Sequence, residues 1–135
     1  MLGRLARRLR PTDAGTAAGL TPTRVAILLA VVRDGPVRLS ALADGEGINP
    51  TMLSRSISRL LEDGLIERAS DADDRRSAWV QPTPAGRKLA EKMRRERTDA
   101  VKLALAELGR EDREGLERAL PALEALCERL AVRRP

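Results

Sequence analysis

The amino-acid sequence predicts a mainly α-helical chain with one small β-hairpin set between its helices. Three observations carry this reading. Apolar residues recur at the i, i+3, i+4, i+7 spacing of a helix face along most of the 135 residues. Three pairs of a capping residue and a proline, Thr21-Pro22, Asn49-Pro50 and Thr83-Pro84, mark helix starts, because the cap accepts an orphan N–H and the proline needs none. Between Leu65 and Val80 the pattern changes to two short strand-like runs around a charged loop.

The elements follow in order. Leu2, Leu5 and Leu9 lie at helical spacing among arginines until Pro11 stops them. Residues 12–20 are rich in Gly, Ala and Thr and read as a connector. Thr21-Pro22 opens a helix with Val25, Leu28, Leu29 and Val32 as its apolar stripe, ended by Asp34-Gly35-Pro36. A short helix over 39–44 has Leu39, Leu42 and Ala43 on its inner side, and Gly45-Glu46-Gly47 is a tight turn. Asn49-Pro50 starts the next helix, which turns Leu53, Ile57, Leu60 and Leu61 inward and stops at Asp63-Gly64. Short helix, glycine turn and second helix have the spacing of a helix-turn-helix. Residues 65–68 and 78–80 are the strands of a hairpin, a "wing". Thr83-Pro84 then opens a long helix with Leu89, Met93, Ala100, Val101, Leu105 and Leu108 on one side. Gly109 interrupts it. A last helix, 111–132, carries Leu116, Leu120, Leu123, Cys127 and Leu130 as its stripe, with Pro121 inside.

Composition narrows the function. The chain has no histidine and one cysteine, so a Cys/His zinc site, an internal disulfide and a Ser-His or Cys-His catalytic set are closed to it. Metal, cofactor and enzyme are therefore not expected. Phe and Tyr are absent and Trp79 is the only aromatic residue, which disfavours single-strand binding by base stacking. The net charge of +5 suits nucleic acid, yet residues 1–84 hold 12 basic and 10 acidic residues and residues 85–135 hold 13 and 10. With so even a spread, a few placed arginines must matter more than bulk charge. The longest apolar run, 25–32, is too short for a bilayer, and no apolar segment follows the basic start, so a cytoplasmic location is expected.

Double-stranded DNA is the expected partner. If Leu53, Ile57, Leu60 and Leu61 face inward, Thr51, Ser54, Arg55 and Ser58 face outward, with Pro50 at the helix start. Ser and Thr are weak helix formers, and an indifferent solvated face carries Lys, Glu or Gln more often. Arginine pairs with guanine O6 and N7, and small hydroxyl residues permit close approach. In the loop, Asp74, Arg75 and Arg76 stand together, and a carboxylate can fix an arginine's direction there. An arginine at a hairpin tip suits a narrow minor groove.

The stretch Ile48-Asn49-Pro50-Thr51-Met52-Leu53-Ser54-Arg55, with Arg59-Leu60 and Gly64-Leu65-Ile66-Glu67-Arg68 after it, resembles the recognition region of the MarR family. Asp73-Asp74-Arg75-Arg76-Ser77, then Val80 and Thr83-Pro84-Ala85-Gly86, resembles that family's wing and the start of its long dimer helix. The likeness spans nearly the whole chain and is strongest from Gly35 to Gly86. It implies a winged-helix homodimer on an inverted repeat in duplex DNA, with Thr51, Ser54 and Arg55 in the major groove and Arg76 in the minor groove, steadied by Asp74. It also implies repression of transcription, relieved by a small-molecule effector or by cysteine oxidation. Pro82 departs from the pattern, standing where the family has an aliphatic strand residue.

The expected organisation is a winged helix-turn-helix over 21–82, with 1–20 and 83–135 forming a helical dimerisation region. The apolar stripes of the terminal helices exceed what so small a winged domain can cover. A second copy of the chain, contacted through Leu5, Leu9, Leu116, Leu120, Leu123 and Leu130, would cover them; a helical hairpin within one chain is the other arrangement. Cys127 is expected to pack in the core. The competing function is a winged-helix protein-interaction module without significant DNA binding, which need not keep Arg55, Asp74 and Arg76.

Overall fold

The computed structural model describes residues 1–9, 11–69 and 78–132. Its elements are α1 (Leu2–Leu9), α2 (Asp13–Ala17), α3 (Pro22–Asp34), β1 (Val37–Arg38), α4 (Leu39–Glu46), α5 (Pro50–Glu62), β2 (Ile66–Ala69), β3 (Trp79–Pro82), α6 (Pro84–Glu107) and α7 (Arg110–Val132). The fold is mostly helical with a small antiparallel sheet, and the three cap-plus-proline pairs start α3, α5 and α6. Thr21 Oγ1 accepts from Arg24 N at 3.3 Å, Asn49 Oδ1 from Thr51 N at 2.9 Å and Thr83 Oγ1 from Gly86 N at 3.1 Å. Each satisfies a donor that the first turn cannot satisfy itself.

Three local expectations are corrected. The connector over 12–20 contains the short helix α2. Thr12 caps it by accepting from Gly15 N at 3.1 Å, and Glu96 on α6 accepts from Ala14 N at 3.0 Å. The sheet has three strands, in the order β1-β3-β2, where a two-stranded hairpin was expected. β1 is only Val37 and Arg38, paired with Val80 and Trp79, and two residues carry no readable periodicity. Helix α4 runs on through Gly45 and Glu46. It closes at Gly47, whose φ of +62° is the left-handed conformation that glycine adopts without steric cost.

The chain divides into two compact units, Met1–Arg97 and Thr98–Pro135. The first has a continuous core. Ile27, Leu28 and Val31 of α3 pack with Leu42 of α4, Leu53, Ile57 and Leu60 of α5, Ile66 and Val80 of the sheet, and Met93 of α6. Pro82 is accommodated because β1 stops pairing at Val80, so β3 has only β2 beside it, at Ile66. In the second unit, α7 remains one helix through Pro121. Its large apolar residues stay exposed: Leu116 at 46%, Leu120 at 55%, Leu123 at 38%, Leu126 at 44% and Leu130 at 57%. Among the described residues no helix is long and apolar enough to cross a membrane.

Candidate nucleic-acid interface

Helix α5 is held from behind. Leu53, Ser56, Ile57 and Leu60 are buried against α3, α4 and the sheet, and Leu61 is half-buried at the edge of the core. The turn from α4 is fixed by Gly47 N donating to Asp44 O at 3.3 Å and Ile48 N donating to Ala43 O at 3.0 Å, which satisfies the last carbonyls of α4. With that back face fixed, the helical repeat turns Pro50, Thr51, Ser54, Arg55 and Ser58 outward, and all five are exposed. The five expected residues thus lie together on one surface. Arg59 is exposed too, and its Nη1 pairs with Glu62 Oε2 at 3.0 Å. Sequence reasoning missed Met52, which is 54% exposed beside this surface. The signal was available in its spacing: it falls outside the Leu53, Ile57, Leu60 stripe.

The base of the wing is built by β2 and β3 in the register Ile66↔Pro82, Glu67↔Gln81, Arg68↔Val80 and Ala69↔Trp79. Gln81 Nε2 donates to Glu67 Oε1 at 2.6 Å across the pair. On the other side of β3, the Arg38 guanidinium lies 5.1 Å from the centre of the Trp79 ring, a cation–π contact. Trp79 therefore holds the sheet edge at β1. The expected wing residues Asp74, Arg75 and Arg76 lie outside the described residues.

At the end of α3, the Arg33 guanidinium donates two bonds of 2.8 Å to the Asp34 carboxylate. They hold that carboxyl below its ordinary range. No cluster of three or more His, Cys, Asp or Glu suited to a metal ion occurs among the described residues. In the first unit a cavity of about 300 Å³ is lined by Arg7, Thr12, Gly15, Thr16, Leu20 and Val25, with Pro11 and Pro22.

The residues expected to meet a second copy divide. Leu5 is 55% exposed and Leu9 half-buried in α1, while Leu116, Leu120, Leu123 and Leu130 are the exposed stripe of α7. Cys127 corrects the expectation of a core thiol. It does lie on that stripe, but the stripe is uncovered within the chain and the thiol is exposed.

Residues 20–78 match the profile of the MarR family, the span from the start of α3 to the wing. The chain is 29% identical over 125 residues to the uncharacterized HTH-type transcriptional regulator Mb0904 of Mycobacterium bovis, covering 93% of this chain and 86% of that protein. Its fold is similar to that of Rv1404 from Mycobacterium tuberculosis, with a TM-score of 0.84 at 23% identity over 94% of this chain and 87% of that one. It is also similar to FabT of Streptococcus pneumoniae, solved in complex with DNA, with a TM-score of 0.75 at 17% identity over 96% and 94%. The family consists of regulators and not enzymes. The profile match over residues 20–78, the relative aligned along nearly the full length and the shared winged-helix fold show a MarR-family domain over the helix-turn-helix and make this chain similar to that family of transcriptional regulators.

Proposed function

We propose that the chain is a homodimeric repressor that binds an inverted-repeat operator in duplex DNA. One observation carries this reading. The outward face of α5 presents Thr51, Ser54, Arg55 and Ser58 together, while its opposite face is locked into the core. A rigid helix with an arginine between small hydroxyl residues fits a major groove and can tell guanine from the other bases. By the family resemblance, the wing carries Asp74, Arg75 and Arg76, with Arg76 entering the neighbouring minor groove and Asp74 steadying it. Segment 21–82 is the DNA-binding part, and 1–20 with 83–135 join two copies.

Leu116, Leu120, Leu123, Cys127 and Leu130 alternate steps of four and three, the spacing at which one helix packs along another. Their exposure in the single chain supports a partner helix from a second copy. The cavity beside Arg7, Thr12 and Thr16 is at the small end of ligand-site volumes, and its cation and hydroxyls suit a small anionic effector that relieves repression. The site of action is the cytoplasm.

The test is selection from a random-sequence duplex library followed by binding measurements on the enriched site. An inverted repeat with two equal half-sites is expected. Failure to enrich any duplex at low salt would overturn DNA binding and leave the protein-interaction module as the reading.

A further inference from the structure

Met52 is exposed on a surface otherwise built of small polar residues and arginine. Among the described residues of α3, α4, α5 and the sheet, it is the one large apolar side chain left exposed. It stands at the third position of α5, between Thr51 and the buried Leu53, and one helical turn before Arg55. Its exposure of 54% contrasts with 4% for Leu53 beside it. Single exposed apolar side chains are ordinary on protein surfaces, so it is the place of Met52, on the exposed side of α5 one turn before Arg55, that gives its exposure meaning.

The base edges of unmodified duplex DNA offer one apolar group in the major groove, the C5-methyl of thymine. Methionine suits that contact, because it is unbranched, flexible and polarizable and can reach past shorter neighbours. We propose that Met52 is a specificity-determining residue that reads a thymine methyl. The idea rests on the DNA-binding role of α5 argued above.

The geometry also places the thymine. Side chains three residues apart on a helix are about 5–6 Å apart at Cβ, and base pairs stack about 3.4 Å apart. The thymine that Met52 covers therefore lies within about two base pairs of the base read by Arg55. A thymine-bearing pair should sit at that offset in both half-sites.

The experiment uses the full chain and the duplex enriched from the random library. Each thymine is replaced in turn by deoxyuridine, which removes only the methyl group. Affinities are measured for the wild type, Met52→Leu and the nearly isosteric, polar Met52→Gln. The Arg55 base is located as the position at which Arg55→Ala loses discrimination. For the wild type, one thymine per half-site at the stated offset should show about a fourfold loss on removal of its methyl, the worth of one buried carbon. Met52→Leu should keep that loss and Met52→Gln should bind both duplexes equally. Since Met52 is exposed, both variants should melt like the wild type. Wild-type indifference to every thymine methyl, or an undiminished loss in Met52→Gln, would overturn the role of Met52 while DNA binding stood. A duplex library from which nothing is enriched would instead remove the reading beneath it.

Discussion

Thr83 joins three elements through one residue. Its hydroxyl donates to Gly64 O at 2.6 Å and accepts from Gly86 N at 3.1 Å, and its own N–H donates to Leu65 O at 3.2 Å. The turn after α5, the start of β2 and the start of α6 are thereby tied together. Gly86 must be glycine for the same reason, because a β-carbon there would fall on the Leu65 carbonyl. Helix propensity alone says Gly86→Ala stabilises by roughly 1 kcal/mol. The obstacle is backbone, which cannot rotate away, so the sterics win. We expect Gly86→Ala to destabilise by about 1–3 kcal/mol in denaturant unfolding; an unchanged or higher midpoint would refute this. At the DNA surface, Arg55→Ala should cost about 1–3 kcal/mol on the enriched site and relax preference at one position per half-site. Equal loss on enriched and random duplexes would make Arg55 a phosphate contact.

Helix α5 shows which features are legible in a sequence. Its start was readable in Asn49-Pro50 and its buried face in Leu53, Ile57 and Leu60, because capping and the 3.6-residue repeat are local. Asn49→Ala removes the acceptor for Thr51 N and should cost about 1 kcal/mol of stability, read as a shift in the denaturant midpoint, with little effect on the identity of the bound site. What stayed hidden was non-local. Helix α2 is fixed partly by Glu96, 82 residues from Ala14, and β1 exists only through pairing with β3. Met52 was a different case: its place outside the Leu53, Ile57 and Leu60 stripe was legible, but an apolar residue is not among the usual signs of an outward-facing helix surface. The strands of the wing were legible in the change of period over 65–68 and 78–80, whereas Asp74, Arg75 and Arg76 lie outside the described residues.

For the molecule as a whole, the stripe of α7 decides how two recognition helices could act together. Leu120 and Leu123 are 55% and 38% exposed in the single chain, and Cys127 one turn later is exposed with them. If a second copy covers the stripe, sedimentation at micromolar concentration should give about twice the 14.7 kDa chain. The Cys127 thiol should then react more slowly with a maleimide as the protein concentration rises. Acidic replacement of both leucines, Leu120→Glu with Leu123→Glu, places two carboxylates in the apolar contact and should give monomers. Its consequence for DNA separates association from folding. Joining two half-site contacts in one dimer raises the effective concentration of the second, so affinity for the full repeat exceeds affinity for one half-site. The double variant should therefore bind the full repeat no better than a single half-site, while its half-site affinity matches the wild type. Loss of half-site binding as well would indicate damage to the winged domain. Full-repeat affinity equal to the wild type would show that α7 does not join the two copies.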